Sequence, residues 1–184
     1  MRDSLEGNVA QADVDLLKQY TEVLQTYQRQ KEECLREMIK LCKKHYNKAF
    51  MLLQSIPGIK EQSAAIIISE IGTDMSLFST AAAPVSWAGL RPRNDESAGK
   101  IKSRRITHGN KYLRKALMES AWEASRTKGS IFYDKFWRLR GRNKQQHKCT
   151  VAITRHLLVI IRSLLSKNAY FDNNYTQKNI PCRA

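Results

Sequence analysis

One serine of this 184-residue chain stands among positive charges, in a loop punctuated by proline and glycine. Ser97 lies within residues 89–100. The cationic residues on either side of it are Arg91, Arg93, Lys100, Lys102, Arg104 and Arg105. Guanidinium and ammonium groups bind phosphate oxygens and neutralise the charge that develops when a phosphodiester is attacked. The loop therefore predicts a surface that meets phosphate.

A serine hydroxyl is a weak nucleophile, so it needs a base or a metal to take its proton. The nearest candidates in the chain are Asp95, Glu96 and His108. Two carboxylates in one loop do not by themselves make a metal site, and His108 is equally a turn residue or a hydrogen-bond partner. The residues alone leave open whether Ser97 is a nucleophile or an ordinary loop serine.

The overall charge indicates a polyanionic partner. Lys and Arg number 32 against 17 Asp and Glu, which gives a formal charge of +15. Such a charge attracts nucleic acid ahead of an acidic membrane. The alternative is a merely soluble basic protein. Since 42% of the residues are hydrophobic, a folded core is expected.

Cysteine usage and hydropathy favour a reducing cytoplasm. The four cysteines form no C-x-x-C pair, so neither structural zinc nor a disulfide framework is expected: Cys34, Cys42, Cys149 and Cys182. The first residues are polar, unlike a secretory signal. The most apolar stretch, residues 151–165, contains Arg155, His156 and Arg162 and does not predict a membrane span.

A long helical pattern over residues 13–48 follows a leader of residues 1–12. Its seam positions recur alternately three and four residues apart: Leu17, Tyr20, Leu24, Tyr27, Lys31, Cys34, Met38, Leu41 and His45. A seam of about four heptads is typical of a coiled coil. It predicts a homodimer or tetramer, and the alternative is a single amphipathic helix packed on its own domain.

Two helices joined by a Pro-Gly turn are predicted over residues 50–72. Pro57 ends the first near Ser55, and Gly72 ends the second. The pair resembles a helix-hairpin-helix motif, whose turn binds a DNA phosphate through backbone N–H groups. Gly58, Ile59 and Lys60 are therefore candidate DNA contacts, with Lys60 in the place of the motif's second glycine. A purely structural hairpin is the alternative.

The remaining pattern predicts an all-α domain over residues 49–168 with a serine loop at residues 89–109. Residues 100–106 are either a short extended ribbon or a mobile arm. Asn110 is expected to cap a helix that runs to Arg126, and Lys111 and Arg114 in its first turn are candidate phosphate contacts. An aromatic helix and a long core helix to about residue 167 follow, and residues 169–184 are expected to be a disordered tail.

The order of short motifs resembles the C-terminal domain of the insertion-sequence 110/116/902 family of transposases. The motifs are Ile56-Pro57-Gly58-Ile59, Glu70-Ile71-Gly72, Trp87-Ala88-Gly89-Leu90-Arg91-Pro92, Glu96-Ser97-Ala98-Gly99 and Ile106-Thr107-His108-Gly109-Asn110-Lys111-Tyr112-Leu113-Arg114. Each motif is weak alone, but their order and spacing are specific. The resemblance covers roughly residues 50–170.

The resemblance implies a DNA recombinase guided by a structured RNA. Such enzymes have a RuvC-like domain with acidic ligands for a divalent metal, magnesium, followed by a coiled coil and the serine-bearing domain. Ser97 then corresponds to the nucleophile. We expect this chain to be the C-terminal half of such an enzyme, with DNA and a guide RNA as partners and the metal in the acidic domain. The rival interpretation is a non-enzymatic DNA- or RNA-binding and dimerisation module.

Overall fold

A computed structural model describes residues 10–93, 95–97, 100–103, 105–142 and 145–173. The helices in these ranges are α1 (Gln11–His45), α2 (Asn47–Gln54), α3 (Glu61–Ile71), α4 (Ala82–Trp87), α5 (Lys111–Arg126), α6 (Ile131–Gly141) and α7 (Gln146–Lys167). Strands β1 (Asp95–Ser97) and β2 (Lys100–Ser103) form one antiparallel pair. The all-α prediction is confirmed, and this short strand pair is its one departure within the described residues.

Helix α1 starts close to the predicted position, where the backbone N–H of Ala10 donates to the Asp13 carboxylate at 3.1 Å. It ends at His45, because Tyr46 leaves the helical conformation with φ −129° and ψ 30° before α2 begins. The predicted single helix over residues 13–48 is thus interrupted near its end. The chain divides into two compact units, Met1–Lys40 and Leu41–Ala184.

Helix α7 is the centre of the second unit, and α2, α4, α5 and α6 all pack against it. Its fully buried apolar residues include Ile153, Leu157 and Ile161. Two buried threonines on this helix are satisfied locally, since the Thr154 hydroxyl donates to the Thr150 carbonyl at 2.8 Å. Burying this apolar face provides the main driving force for folding of the unit.

Helix α7 is long and apolar enough to cross a membrane by length and composition alone. However, 56% of its most apolar window is buried inside the protein. Arg162 also donates from its guanidinium to the Phe78 carbonyl at 2.9 Å. These contacts are those of a core helix, as the charged residues in the sequence indicated. A cytoplasmic location stays a prediction.

The hairpin of α2 and α3 has the predicted limits, since α2 ends at Gln54 and α3 ends before Gly72. In the turn, Ile56 and Ile59 are buried, and the Ile59 N–H donates to the Ile56 carbonyl at 3.1 Å. Gly58 has φ +85° and lies against the backbone of α5. The structure thus gives Gly58 and Ile59 a packing role in the hairpin turn.

The chain after α7 is more ordered than expected at its start. Asn168 ends the helix in the left-handed conformation, φ 51°. The Phe171 N–H donates to the Ser55 hydroxyl at 2.9 Å, and its ring stacks on Phe132 with centroids 5.8 Å apart. The expected disordered tail therefore does not begin at residue 169, because residues 169–173 are tied to the domain. Residues 174–184 and the leader's residues 1–9 lie outside the described part.

Replacing Gly58 by alanine should destabilise the domain far more than the same change at Gly129. A Cβ at Gly58 would lie 2.3 Å from the Ser120 carbonyl oxygen and 2.5 Å from the Ala124 nitrogen. Overpacking added to left-handed strain should cost about 3 kcal/mol. Gly129 also has positive φ, but a Cβ there meets nothing within 4 Å, so strain alone should cost about 1–2 kcal/mol. Urea unfolding measures both, and equal losses would contradict the packing role.

Candidate nucleic-acid interface

The segment that carries Ser97 starts where two glycines cross. Gly89, with φ +65°, follows α4, and Gly109 precedes α5. A Cβ on Gly109 would lie 2.3 Å from the Gly89 nitrogen, and a Cβ on Gly89 would lie 2.7 Å from the Gly109 nitrogen. Only glycine at both positions lets the two backbones approach this closely. The crossing therefore brings both ends of the serine loop together.

Beyond the crossing the two chain segments pair as an antiparallel ribbon. Thr107 donates its N–H to the Arg91 carbonyl at 2.9 Å, and Arg93 donates to the Arg105 carbonyl at 2.9 Å. Pro92 and Ile106 form a bridge between these pairs. Strands β1 and β2 continue the pairing outward, with an irregularity between Asp95 and Glu96. Of the two alternatives for residues 100–106, the structure has the ribbon.

Ser97 is the last residue of β1 and its side chain is exposed. Its register partner on β2 is Lys100. Ser97 is therefore at the outer end of the ribbon, as far from the glycine crossing as the paired backbone extends. The two residues that follow it, Ala98 and Gly99, lie outside the described residues, as does Arg104. The neighbouring Asp95 and Glu96 are described only as backbone.

The ribbon presents cationic side chains to solvent. Arg91, Arg93, Lys102 and Arg105 are exposed. Arg93 and Arg105 stand directly opposite each other, since their backbones are hydrogen-bonded. Guanidinium groups offer forked donors that match phosphate oxygens, so two of them at opposed positions of the ribbon suit a phosphate backbone.

The N-terminus of α5 is built around Asn110. Its side-chain oxygen accepts the N–H groups of Tyr112 and Leu113, each at 3.0 Å. Its amide donates to the Glu70 carboxylate at the end of α3. The predicted cap is confirmed, and it also joins α5 to the hairpin. Lys111 in the same turn is exposed.

Arg114 lies one turn further along α5 and is half-buried. Its guanidinium donates to the Gly109 carbonyl at 3.4 Å. This contact places it beside the foot of the ribbon, which is the end where Gly89 and Gly109 cross. The buried Nε of Arg114 has no hydrogen-bond partner among the described residues. Lys111 and Arg114 are thus both placed next to the ribbon, although Arg114 also contributes to the local packing.

The predicted contacts in the hairpin turn do not lie beside the ribbon. Gly58 contacts α5 at Ser120 and Ala124, ten or more residues beyond Asn110. At 1.5 Å per helical residue this corresponds to roughly 15–20 Å along α5. Lys60 is exposed at the start of α3. The predicted contacts therefore form two groups, one at the ribbon and one at the hairpin turn, and phosphate binding by either group stays a prediction.

An open groove at the foot of the ribbon was not found by sequence reasoning. It has a volume of about 670 Å³ and is lined by Ser86, Trp87, His108, Gly109, Asn110, Lys111 and Tyr112. Trp87 is 55% exposed and Tyr112 is 64% exposed. Both aromatics occur in the quoted motifs, but residue type and spacing did not reveal that they face solvent. Large exposed aromatics are enriched at binding surfaces.

The described residues do not include a cluster of three or more His, Cys, Asp and Glu that would hold a metal. The magnesium that the family resemblance implies was expected in an acidic domain and not in these residues, and it stays a prediction. His156 has a pKa lowered to about 4, first because it is buried and second because Lys135 is near. It lies edge-on to the core ring of Phe132, at 5.7 Å between centroids. This perturbed histidine is a neutral core residue on α7 and does not mark a reactive site.

Comparison with known proteins identifies one matching family model and relatives of similar sequence. Residues 51–136 match the family model described as the transposase IS116/IS110/IS902 family. The chain is 32% identical over 133 residues to the pilin gene-inverting protein of Moraxella bovis, which covers 71% of this chain and 41% of that protein. It is 29% identical over 129 residues to the insertion element IS110 uncharacterized 43.6 kDa protein of Streptomyces coelicolor, covering 66% of this chain and 30% of that protein. The chain thus spans about two fifths or less of these relatives.

Neutralising the facing pair Arg93 and Arg105 with glutamine should weaken DNA binding in a salt-dependent way. Each phosphate contact contributes about 0.9 to the slope of log affinity against log salt concentration, so losing two contacts should flatten the slope by about 1.8. Fluorescence anisotropy with a duplex at several salt concentrations measures this slope.

The control for that experiment removes the same charge from α1. Lys18 and Lys40 are exposed there and paired at 3.7 Å with Asp15 and at 3.6 Å with Glu37. Replacing both by glutamine should leave the slope unchanged. If the two double variants flatten the slope equally, overall charge and not the ribbon determines binding.

Proposed function

This chain belongs to the IS116/IS110/IS902 transposase family, and we propose on that premise that it is the serine-bearing part of a DNA recombinase. Ser97 is the proposed nucleophile and the cationic ribbon is its phosphate-binding surface. The observation that carries the proposal is the exposed position of Ser97 at the outer end of a ribbon with arginines along both strands.

The position of Ser97 suits attack on a bulky substrate. A DNA backbone reaches only a hydroxyl that stands clear of the protein surface, and Ser97 is exposed at a tip. The ribbon in turn is fixed at its foot by the glycine crossing. Exposed arginines along it offer forked donors that match two phosphate oxygens. An ordinary loop serine does not require either feature.

The proposed reaction is a phosphoryl transfer. The Ser97 oxygen forms a bond to phosphorus, the bond from phosphorus to a deoxyribose oxygen breaks, and a phosphoserine ester results. The serine proton passes to a base, and the departing deoxyribose oxygen receives a proton. The ribbon cations stabilise the charge on the non-bridging oxygens as the transition state forms.

The base and the metal are proposed to belong to a second domain. A divalent metal, magnesium, held by acidic residues of a RuvC-like domain would activate the serine or the leaving group. The relatives are longer than this chain, which leaves room for such a domain in them. A guide RNA is proposed as a further partner on the family resemblance alone.

The names of the relatives favour DNA rearrangement as the overall process. One is named for inversion of a pilin gene and another for an insertion element.

The second candidate function is a non-enzymatic DNA- or RNA-binding and assembly module. The exposed cations of the ribbon favour it, since they suffice for phosphate binding without any reaction at Ser97.

Replacing Ser97 by alanine distinguishes the two functions. In a recombinase completed with the acidic domain of a relative, Ser97→Ala should abolish the covalent DNA adduct while duplex affinity changes less than twofold. The adduct is measured on a denaturing gel with labelled DNA and magnesium. The matched control is Ser79→Ala, at another exposed serine of the described domain. Adduct formation by Ser97→Ala at the rate of the Ser79 control would eliminate the catalytic role.

Assembly through α1 is also proposed. Leu17, Tyr20, Leu24 and Tyr27 are each more than half exposed, from 57% to 67%, although they form one seam of the helix. Four large apolar residues in a row on an exposed helix face are unfavourable in water. A second copy of the same helix would cover them with the heptad geometry. The proposed state is a homodimer or a tetramer.

Replacing Leu24 by lysine should weaken this assembly at least tenfold, because a charge would enter the seam. Gln25→Lys adds the same charge to the outward face of α1 and should have little effect. Sedimentation equilibrium measures both dissociation constants. Cys34 is exposed on the seam, so oxidation should crosslink two copies if the helices run parallel and in register. A monomer at high concentration in the unaltered chain would refute the pairing.

A further inference from the structure

The groove between α4 and α5, at the foot of the ribbon, combines exposed aromatic surface with positive charge. We infer that this groove binds one unpaired nucleobase of the DNA, with Trp87 and Tyr112 as stacking surfaces and Lys111 on the adjoining phosphate. The inference rests on the proposed function, because it assumes that the ribbon lies on DNA. To that function it adds a preference for DNA in which one base is unpaired and displaced from the base stack.

The two aromatics face solvent although their neighbours are core residues. Val85 and Ala88 beside Trp87 are buried, as is Leu113 beside Tyr112. Core packing therefore leaves about half of the Trp87 side chain and most of the Tyr112 side chain uncovered. Exposing two large rings next to one groove is unfavourable in water, and a flat partner that covers them would remove that exposure. A nucleobase offers a π-face to any aromatic side chain.

The groove is held rigidly by backbone contacts. The Asn110 N–H donates to the Trp87 carbonyl at 3.0 Å, and the glycine crossing lies next to this bond. Asn110 also caps α5, which fixes the backbone of Tyr112. The two aromatic residues thus sit on backbones whose relative position is set before any ligand arrives. Such preorganisation lowers the entropy lost on binding.

The charge of the groove suits a nucleotide more than an apolar peptide. The Lys111 ammonium lies over the Tyr112 ring, 5.2 Å from its centroid, so a base that stacks on that face displaces the ammonium toward the adjoining phosphate. None of the described residues that line the groove is acidic. The Glu70 carboxylate is bonded to the amide of Asn110, one of the lining residues. The volume of about 670 Å³ also falls in the usual range of about 300–1,000 Å³ for small-ligand sites.

The position of the groove limits how far the bound base lies from the reacting phosphate. From Gly89 to Ser97 the chain has eight steps, which at about 3.3 Å per residue gives a reach of no more than roughly 26 Å. Successive base pairs are 3.4 Å apart, so DNA lying along the ribbon would place the unpaired base up to about eight base pairs from the reacting phosphate. The proposed unpaired base therefore lies within about eight base pairs of the nucleotide that Ser97 attacks.

The test uses two duplexes that differ only in one 2-aminopurine, which is either paired with thymine or placed in a one-base bulge. The bulged duplex should bind roughly tenfold more tightly, because its unpaired base gains stacking on aromatic side chains that a paired base does not gain. Its 2-aminopurine fluorescence should fall on binding as the base stacks. Anisotropy at fixed salt gives the two affinities.

Matched double variants identify the surface. Trp87→Leu with Tyr112→Leu should abolish both the preference and the quenching, while affinity for the paired duplex stays within about threefold. Trp137→Leu with Tyr170→Leu removes another exposed tryptophan and tyrosine, 54% and 62% exposed, and should leave both intact. Thermal melting confirms that each variant is folded.

The possible failures are separable. Equal affinity for the two duplexes overturns the inference but leaves the proposed function, whereas no salt-dependent binding of either duplex refutes the proposed function itself. A preference that survives in Trp87→Leu with Tyr112→Leu places the base elsewhere and also overturns the inference. A bulged RNA duplex bound more tightly than the bulged DNA duplex would overturn the assignment to DNA.

Discussion

The close approach of Gly89 and Gly109 is the constraint on which the functional surface depends. Each glycine occupies the space where the other's Cβ would be, at separations as short as 2.3 Å. Because of this contact, the 21 residues from Gly89 to Gly109 leave and rejoin the helical domain at one point, so the ribbon is fixed at that end. The same contact places the end of α4 against the start of α5. The exposed arginines of the ribbon, the exposed serine and the aromatic groove all take their positions from it. Packing of α7 stabilises the domain, but this one contact organises the surface.

The predicted nucleic-acid contacts occupy two regions joined by α5. One is the ribbon with the first turn of α5, and the other is the turn between α2 and α3, which touches α5 at Ser120 and Ala124. A compact substrate would not reach both regions, but a duplex extends over tens of ångströms. The spacing is thus compatible with a polymer lying along the domain. It also means that α5 acts as the rigid element between the two regions.

Much of the helical framework follows from local sequence signals. Pro57 and Gly72 end the two helices of the hairpin, and Asn110 defines the start of α5, because caps and breakers act within one helical turn. The ribbon was less predictable, since its pairing depends on backbone contacts between segments about 15 residues apart. The exposure of Trp87 was not predictable, because a tryptophan next to buried residues gives no sign of which way it faces. Gly58 illustrates the same limit: the sequence predicted it as a DNA contact in the hairpin turn, and only the fold shows that α5 packs against it.

The position of Asn110 needs a side chain that accepts hydrogen bonds from α5 and donates one to Glu70. No other common helix-capping residue meets both needs. Its oxygen accepts two N–H groups of α5 while its nitrogen donates to the Glu70 carboxylate. Aspartate would cap the helix equally well, but it would set a second negative charge against Glu70. Serine has too short a side chain to act at both ends. The amide thus lies between an acidic helix end and a cationic one and bonds to both through a single side chain.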